Sequence, residues 1–262
     1  MKTLKSILLS VILLSVVFTS CNKNKTAPEL PPESAFVANF SDFNNSGKAL
    51  ADSTSVNWVH AAINVGVWNV IITVGLAVPV ASYVEAVKNH EAEYQGDNTW
   101  LWTYSFNAGV NTYSADLYGV LKSETVEWEM YITKSGEYEH FLWYSGVSNL
   151  DRNHGTWTLY NKPADPTELL GIEWNRTTDS TGNIKYTNIV PGGAENGGYI
   201  FYGNDSNSDL NAYYNIYNKG EDNLIQIEWS QVNQNGHVKN TKFFGDDVWH
   251  CWDETLHDVN CN

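Results

Sequence analysis

Two pairs of carboxylates have the type and spacing that could support chemistry. Glu127 with Glu129, and Asp246 with Asp247, offer the acid, base or nucleophile that glycoside hydrolases use. Both pairs also suit a solvated strand face or a turn, and we favour that interpretation. The sequence holds no HExxH, GxSxG or CxxC motif and no phosphate-binding glycine loop. We therefore predict no catalytic residues, and a hydrolase is the least favoured function.

Histidine and cysteine cluster near the C-terminus as His250, Cys251, His257 and Cys261. These residue types bind zinc. However, their spacing fits no common zinc module, and the adjacent His250 and Cys251 would point to opposite sides of a strand. In an oxidising compartment the two cysteines pair more simply with each other. We predict a Cys251–Cys261 disulfide, no metal site and no cofactor.

The first 21 residues predict export. Lys2 and Lys5 precede an apolar run over residues 7–18, which is typical of a signal peptide and short for a membrane span. The run ends in Phe18-Thr19-Ser20-Cys21, which resembles the lipobox of bacterial lipoproteins, where Leu usually replaces Phe18 and Gly or Ala replaces Ser20. The resemblance implies cleavage before Cys21 and its modification with acyl chains such as palmitate. An ordinary signal peptide is the alternative.

The segment after Cys21 predicts a tether. Residues 22–34 are polar, contain three of the seven prolines and show no apolar periodicity, so they favour a flexible linker. The predicted organisation is a signal peptide over 1–20, an anchor and linker over 21–34, and one domain over 35–262. The lipoprotein resemblance implies attachment to the cell envelope, with the outer membrane of a Gram-negative bacterium favoured. The domain could face either the periplasm or the outside of the cell.

The charge of the mature chain excludes nucleic acid as a partner. Without Lys2 and Lys5, 13 basic residues remain against 30 acidic ones, a net charge of −17. A field of this sign repels phosphate backbones. It also disfavours contact with strongly anionic surfaces.

An apolar stretch predicts helices near the start of the domain. Residues 57–87 contain Glu85 as their single charged side chain. The pattern predicts a helical segment over about 56–90, divided at Pro79. Its length permits a membrane span, but His60 and Asn64 interrupt the apolar run. We expect the helices to be buried in the domain, with membrane association as the alternative.

Residues from about 99 to 252 alternate between apolar and polar, with turn sequences between the runs. The alternation predicts about a dozen strands in an antiparallel meander or barrel, with the apolar helical pair packed in or against it. An apolar-Glu-Trp motif recurs at residues 126–128, 172–174 and 227–229. We predict that its apolar and Trp side chains face inward and its Glu faces water. A membrane barrel would need the opposite arrangement.

Aromatic content suggests what such a domain could bind. The chain has 11 Trp, 15 Tyr and 9 Phe, which suit strands and also flat, amphipathic binding surfaces. With Trp128, Trp174 and Trp229 as candidate binding residues, we predict a lipid-anchored, non-catalytic binding module for a glycan or an apolar small molecule. The alternative is a structural or accessory lipoprotein of an outer-membrane complex, whose protein partner would contact the apolar helices.

Overall fold

The structure, a computed structural model, is mainly β and describes residues 26–38, 40, 54–88, 90–178, 182–206 and 208–261. The predicted signal peptide and Cys21 lie outside these residues. The predicted mainly β fold is confirmed, with a helical segment before the sheet.

The strands form one antiparallel meander in which each strand pairs with the next in the chain. The sheet does not close into a barrel. The strands are β1 Glu93–Gly96, β2 Thr99–Ala108, β3 Asn111–Leu121, β4 Thr125–Lys134, β5 Tyr138–Asn149, β6 His154–Lys162, β7 Asp165–Arg176, β8 Gly182–Asn188, β9 Tyr199–Asn204, β10 Ala212–Asn218, β11 Asn223–Trp229, β12 Gly236–Lys239, β13 His250–Trp252 and β14 Asp258–Val259.

The helical segment breaks at a different place from the one predicted. Helix α1 (Val56–Val70) continues into a π-helical turn, Ile71–Gly75, and α2 spans Ala77–Ala86. Pro79 lies in the first turn of α2. The N–H groups of a first turn have no partner within the helix, so a proline there costs no helical hydrogen bond. A short helix, α3 (Thr241–Phe244), follows β12.

The two longer helices contact both ends of the open sheet. Helix α1 packs against β12, β13 and β14, whereas α2 packs against β2. The carboxylate of Asp258 in β14 accepts hydrogen bonds from the backbone N–H groups of Val56 (3.0 Å) and Asn57 (2.9 Å). This caps the start of α1, where the N–H groups lack helical partners and the helix dipole favours a negative charge.

An N-terminal segment fills the inner face of the sheet. Ala35, Phe36 and Phe40 are buried. The Trp157 indole donates to the carbonyl of Ala35 (3.0 Å) and the Tyr186 hydroxyl donates to that of Phe36 (3.1 Å). Tyr186 also accepts from the N–H of Ala38 at 2.7 Å. Side chains from β6 and β8 thus satisfy the backbone of a segment that has no strand partner of its own.

The described part of the predicted linker also contacts the domain. The Tyr83 hydroxyl donates to the carbonyl of Pro31 at 2.9 Å, and Arg152 forms an ion pair with Glu29 at 2.7 Å. Leu30 packs against the core. Residues 26–34 are therefore held on the domain. Local composition did not predict these contacts, because the partner residues lie far away in the sequence.

The recurrent apolar-Glu-Trp motif packs each of its tryptophans against a glycine. Its Trp side chains point inward and its Glu side chains point outward, as predicted. Each Trp lies opposite a glycine of a neighbouring strand: Trp128 opposite Gly119 and Gly146, Trp174 opposite Gly155, and Trp229 opposite Gly236. A glycine leaves room for the indole ring to lie across the adjacent backbone.

Candidate functional site

The tryptophans that we predicted as binding residues belong to the core. Trp128, Trp174 and Trp229 have exposures of 1%, 1% and 3%. The Trp128 indole donates to the Ser148 hydroxyl at 2.9 Å, and the Trp229 ring stacks on Tyr214 at 4.9 Å. These residues pack the inner face and do not form an exposed platform. The aromatic excess of the sequence is largely core packing.

The C-terminal cysteines are joined. Cys251 and Cys261 form a disulfide, as predicted, and this uses both thiols. His250 pairs with Asp246 at 2.9 Å, and His257 contacts the Thr255 hydroxyl at 2.7 Å. Within the described residues, no group of three or more His, Cys, Asp or Glu side chains is arranged to hold a metal ion.

The paired carboxylates each have a local partner. Glu127 lies 3.0 Å from the Lys122 ammonium, and Glu129 accepts from the Tyr131 hydroxyl at 3.0 Å. Asp246 pairs with His250, and Asp247 lies 2.8 Å from Lys239. Both pairs lie on exposed surface. The geometry is that of a solvated strand face and a turn.

The outer surface of β9 and β10 is unusually aromatic. Its six outward positions are Tyr199, Phe201 and Gly203 on β9, and Tyr213, Asn215 and Tyr217 on β10, and four of these six residues are aromatic. The corresponding positions on β7 and β8 hold no aromatic residue: Gly171, Glu173, Asn175, Asn183, Lys185 and Thr187. We call Tyr199, Phe201, Tyr213 and Tyr217 the outer platform. All four are half-buried, so their rings are held in place and still reach solvent.

The rings of the outer platform form two contacting pairs. Phe201 and Tyr213 have ring centroids 5.5 Å apart, and Tyr199 and Tyr217 have centroids 5.7 Å apart. Tyr213 lies across Gly203, where an added Cβ would be 2.4 Å from the Tyr213 Cζ atom. Gly203 therefore allows that ring to lie flat on the strand beside Phe201.

Polar groups border the outer platform. The Lys185 ammonium lies 4.3 Å from the centroid of the Tyr199 ring, in cation–π contact. The Tyr217 hydroxyl donates to Asp222 at 2.7 Å, and this hydrogen bond raises the pKa of Tyr217. Burial, together with the charge of Asp205, raises the pKa of Tyr213. Both phenols therefore remain protonated donors over the physiological pH range.

A second outer cluster lies on β3, β4 and β5. Tyr131 and His140 stack at 4.2 Å, and the Tyr118 ring lies edge-on to Tyr131 at 5.8 Å. His140 adopts a left-handed conformation (φ 46°) where the β4–β5 register shifts. Tyr131 and His140 each cover one face of the other, and this cluster offers two tyrosines and a histidine, whereas four aromatic rings form the outer platform. The outer platform is the better candidate site.

The chain matches no family model, no curated protein and no solved structure. The candidate site therefore rests on its own geometry. Sequence reasoning missed it because Tyr199–Tyr202 and Tyr213–Tyr217 are apolar or aromatic at nearly every position, which hides the alternation of faces. The available signal was that the alternate positions of two neighbouring strands are both aromatic.

His60 on α1 is a half-buried structural histidine with a depressed pKa. Its ring stacks on Phe243 at 3.9 Å, and its Nε2 lies 2.9 Å from the Asn240 amide nitrogen. The Asn240 oxygen caps α3 through the N–H groups of Lys242 and Phe243, so the amide nitrogen must face His60 and donate to it. Burial lowers the pKa of His60 to about 4 from 6.5. The ring is neutral when folded.

We expect this histidine to make the domain less stable in mild acid. The unfolded chain takes up a proton at pH 6.5 but folded His60 does so near pH 4, so its stabilising contribution is full above pH 6.5 and is lost as the pH falls through about 4. Urea unfolding at pH 7 and pH 5 should show a larger loss of stability in the wild type than in His60→Gln, whose amide oxygen still accepts from Asn240. Equal losses in the two proteins would contradict the assignment.

Proposed function

We propose that this chain is a lipid-anchored, non-catalytic protein of the cell envelope that binds a neutral glycan on the outer platform. The observation that carries the proposal is the set of four half-buried aromatic side chains on the outward positions of β9 and β10. Aromatic rings give a rigid apolar surface with polar edges. The C–H face of a sugar ring fits such a surface.

The border of the outer platform supplies hydrogen-bonding groups for sugar hydroxyls. Asn215 lies between the two ring pairs, beside Phe201 in register, and its amide both donates and accepts. Lys185 and Asp222 add a donor and an acceptor at the Tyr199–Tyr217 pair. The net charge of −17 in the mature chain opposes acidic polysaccharides, which favours an uncharged glycan.

The alternative ligand, an apolar small molecule inside the sheet, has less support. The inner face of the described chain is packed by helices and by the segment around Phe36, whose ring stacks on Tyr83 at 4.5 Å. Tyr144 and Trp157 complete the surroundings of that ring at 4.9 and 5.7 Å. A ligand would have to displace part of the protein's own core.

The envelope location rests on the sequence. The lipobox-like residues before Cys21 support an acyl anchor, and the outer membrane of a Gram-negative bacterium remains the proposed site, facing either side. A second function, an accessory lipoprotein of an outer-membrane complex, is favoured by one observation: α1 exposes apolar side chains, including Ile63 and Val67. Nothing in the geometry of the described residues favours a hydrolase.

Binding measurements on platform variants test the glycan proposal. The mature protein is screened against an array of neutral oligosaccharides, and the ligands found are titrated by calorimetry. Phe201→Ala and Tyr217→Ala should each weaken binding at least about tenfold, equivalent to about 1.4 kcal/mol. The loss arises because each variant removes one ring of a contacting pair from the proposed sugar contact.

Two further variants sharpen this test. Tyr118→Ala removes a half-buried outer tyrosine from β3, away from the outer platform, and should leave glycan affinity unchanged. Gly203→Ala keeps all four rings but forces Tyr213 to move, and should weaken binding. The proposal is wrong if no neutral glycan binds, or if Phe201→Ala and Tyr118→Ala have the same affinity.

A further inference from the structure

Helix α1 and its π-helical turn carry an exposed apolar stripe. The side chains that form it are Val56 (43% exposed), Ile63 (53%), Val67 (56%), Val70 (58%), Ile71 (42%) and Val74 (69%). Their spacing places them on one side of the helix. We call these six residues the apolar ridge. Large exposed apolar patches mark sites of contact with a protein, a ligand or a membrane.

The opposite side of α1 holds the helix on the domain. Trp58, Ala61, Val65 and Ile72 are buried. Among the described residues, Val56–Gly75 is the one helix long and apolar enough to cross a membrane, yet only 28% of its most apolar window is buried. The expectation that the helices would be buried therefore holds for one face of α1 and fails for the other.

The apolar ridge carries no charge. No Asp, Glu, Lys or Arg occurs between Asn57 and Val84, in a mature chain with a net charge of −17. A protein partner for such an acidic molecule would ordinarily be selected through charge complementarity. The ridge offers no charged group for that purpose. The acyl region of a bilayer needs none.

The described chain that follows the proposed lipid anchor begins beside the C-terminal end of α2. Ala27 and Pro28 line a surface groove of about 510 Å³ together with Ala86 and Val87 at the end of α2. The chain from Cys21 to Ala27 reaches at most about 20 Å when fully extended. Helix α2 is about 15 Å long and starts three residues after Val74. One membrane surface is therefore within reach of both the anchor and the end of the ridge.

We propose that the apolar ridge lies in the membrane interface, parallel to the surface, and that its occupant is the lipid bilayer. The proposal rests on the lipid anchor of the proposed function. A spanning orientation is excluded by the packing of α1, because its other side contacts β12–β14. If α1 spanned the membrane, the polar side chains of Asp246, His250 and Asp258 would lie in the hydrocarbon region. A helix that lies in the interface buries one apolar face and keeps the other on the protein.

Depth-sensitive quenching of single labels tests the proposal on the full mature protein. The chain has three cysteines. With Cys21 acylated and Cys251–Cys261 bonded, an introduced cysteine is the one reactive thiol. An environment-sensitive dye is attached to Val67→Cys or Val74→Cys. The control is Val232→Cys in the β11–β12 connection, where the native valine is 84% exposed. The labelled proteins are placed in phosphatidylcholine vesicles with or without quencher-bearing lipid.

We expect quencher lipid to lower the dye emission at positions 67 and 74 at least twofold and iodide in the buffer to have little effect there. Position 232 should show the reverse. Iodide quenching of all three positions in vesicle-bound protein would overturn the proposal. Protection of positions 67 and 74 from both quenchers would also overturn it and would indicate a second copy or another protein on the ridge, which light scattering and cross-linking then distinguish.

Failure of the anchor is read separately. Intact mass shows whether Cys21 carries acyl chains, and Cys21→Ser provides the matched protein without them. If the acyl mass is absent, the anchor of the proposed function is wrong. The ridge proposal is then decided by the same labels with vesicles in large excess, where loss of lipid quenching at positions 67 and 74 contradicts it.

Discussion

Replacing Gly146 with alanine is expected to lower the free energy of unfolding by about 2–3 kcal/mol, the upper part of the range for an overpacked core. A Cβ at this position would lie 2.2 Å from the Trp157 Cε3 atom and 2.5 Å from the carbonyl oxygen of Thr156. The indole is fully buried and its nitrogen is bonded to Ala35. Neither the ring nor the backbone oxygen can move aside without disturbing the segment on the inner face.

Chemical denaturation followed by far-ultraviolet circular dichroism measures this effect. Gly171→Ala is the matched control, since the nearest atom to its added Cβ, from Ile189, would lie 3.5 Å away in ordinary van der Waals contact, and its φ is not in the left-handed region. We expect that variant to stay within about 0.5 kcal/mol of the wild type, as is usual away from tight packing. Similar losses in both variants would show that the pairing of tryptophan with glycine does not set the cost.

Truncating Phe36 to alanine is expected to cost about 3–5 kcal/mol, the range for a buried phenylalanine. Its ring is 1% exposed and contacts Tyr83, Tyr144 and Trp157. The N-terminal segment around it is held by a few hydrogen bonds from side chains and by buried apolar contacts with the sheet, and this ring makes several of those contacts. The same denaturation measurement applies, with one added readout: limited proteolysis near residues 35–40.

Phe243→Ala provides the comparison for Phe36. Phe243 is 53% exposed and its main contacts are the rings of His60 and Phe244. We expect a loss of about 1 kcal/mol, because about half of Phe243 is already in contact with water. If Phe36→Ala were no more harmful than Phe243→Ala, and if residues 35–40 were cleaved no faster, the segment would not be part of the core.

The sequence predicts the strands better than it predicts the functional surface. Alternation at Val126, Glu127 and Trp128 identifies two faces, and the uniform apolar character of one face identifies it as the inner one. The same logic places Trp128, Trp174 and Trp229 in the core, so their candidacy as binding residues was the weaker interpretation of the motif. On β9 and β10 both faces are apolar or aromatic, so alternation carries no information about which rings reach solvent.

The remaining differences come from contacts between distant parts of the chain. The backbone N–H of Ala38 donates a hydrogen bond to Tyr186, 148 positions later, and that of Asn57 donates one to Asp258, 201 positions later. Composition near residue 30 indicates a linker, because the contacts that hold this segment are made by the distant residues Tyr83 and Arg152. Pro79 predicts a break at its own position, but a proline is tolerated in the first turn of a helix, so α2 begins before it, at Ala77.

Native mass spectrometry of the exported, oxidised mature chain carrying Cys21→Ser tests most directly whether the inner face is filled by the protein itself, which leaves the outer face for binding. We predict the bare polypeptide mass, two hydrogens lighter than the reduced chain because of the Cys251–Cys261 bond. Added neutral glycan should then produce a bound species that Phe201→Ala diminishes. A stoichiometric apolar molecule that co-purifies with the wild type would contradict this, since it would need the space that Phe36 and its neighbours occupy.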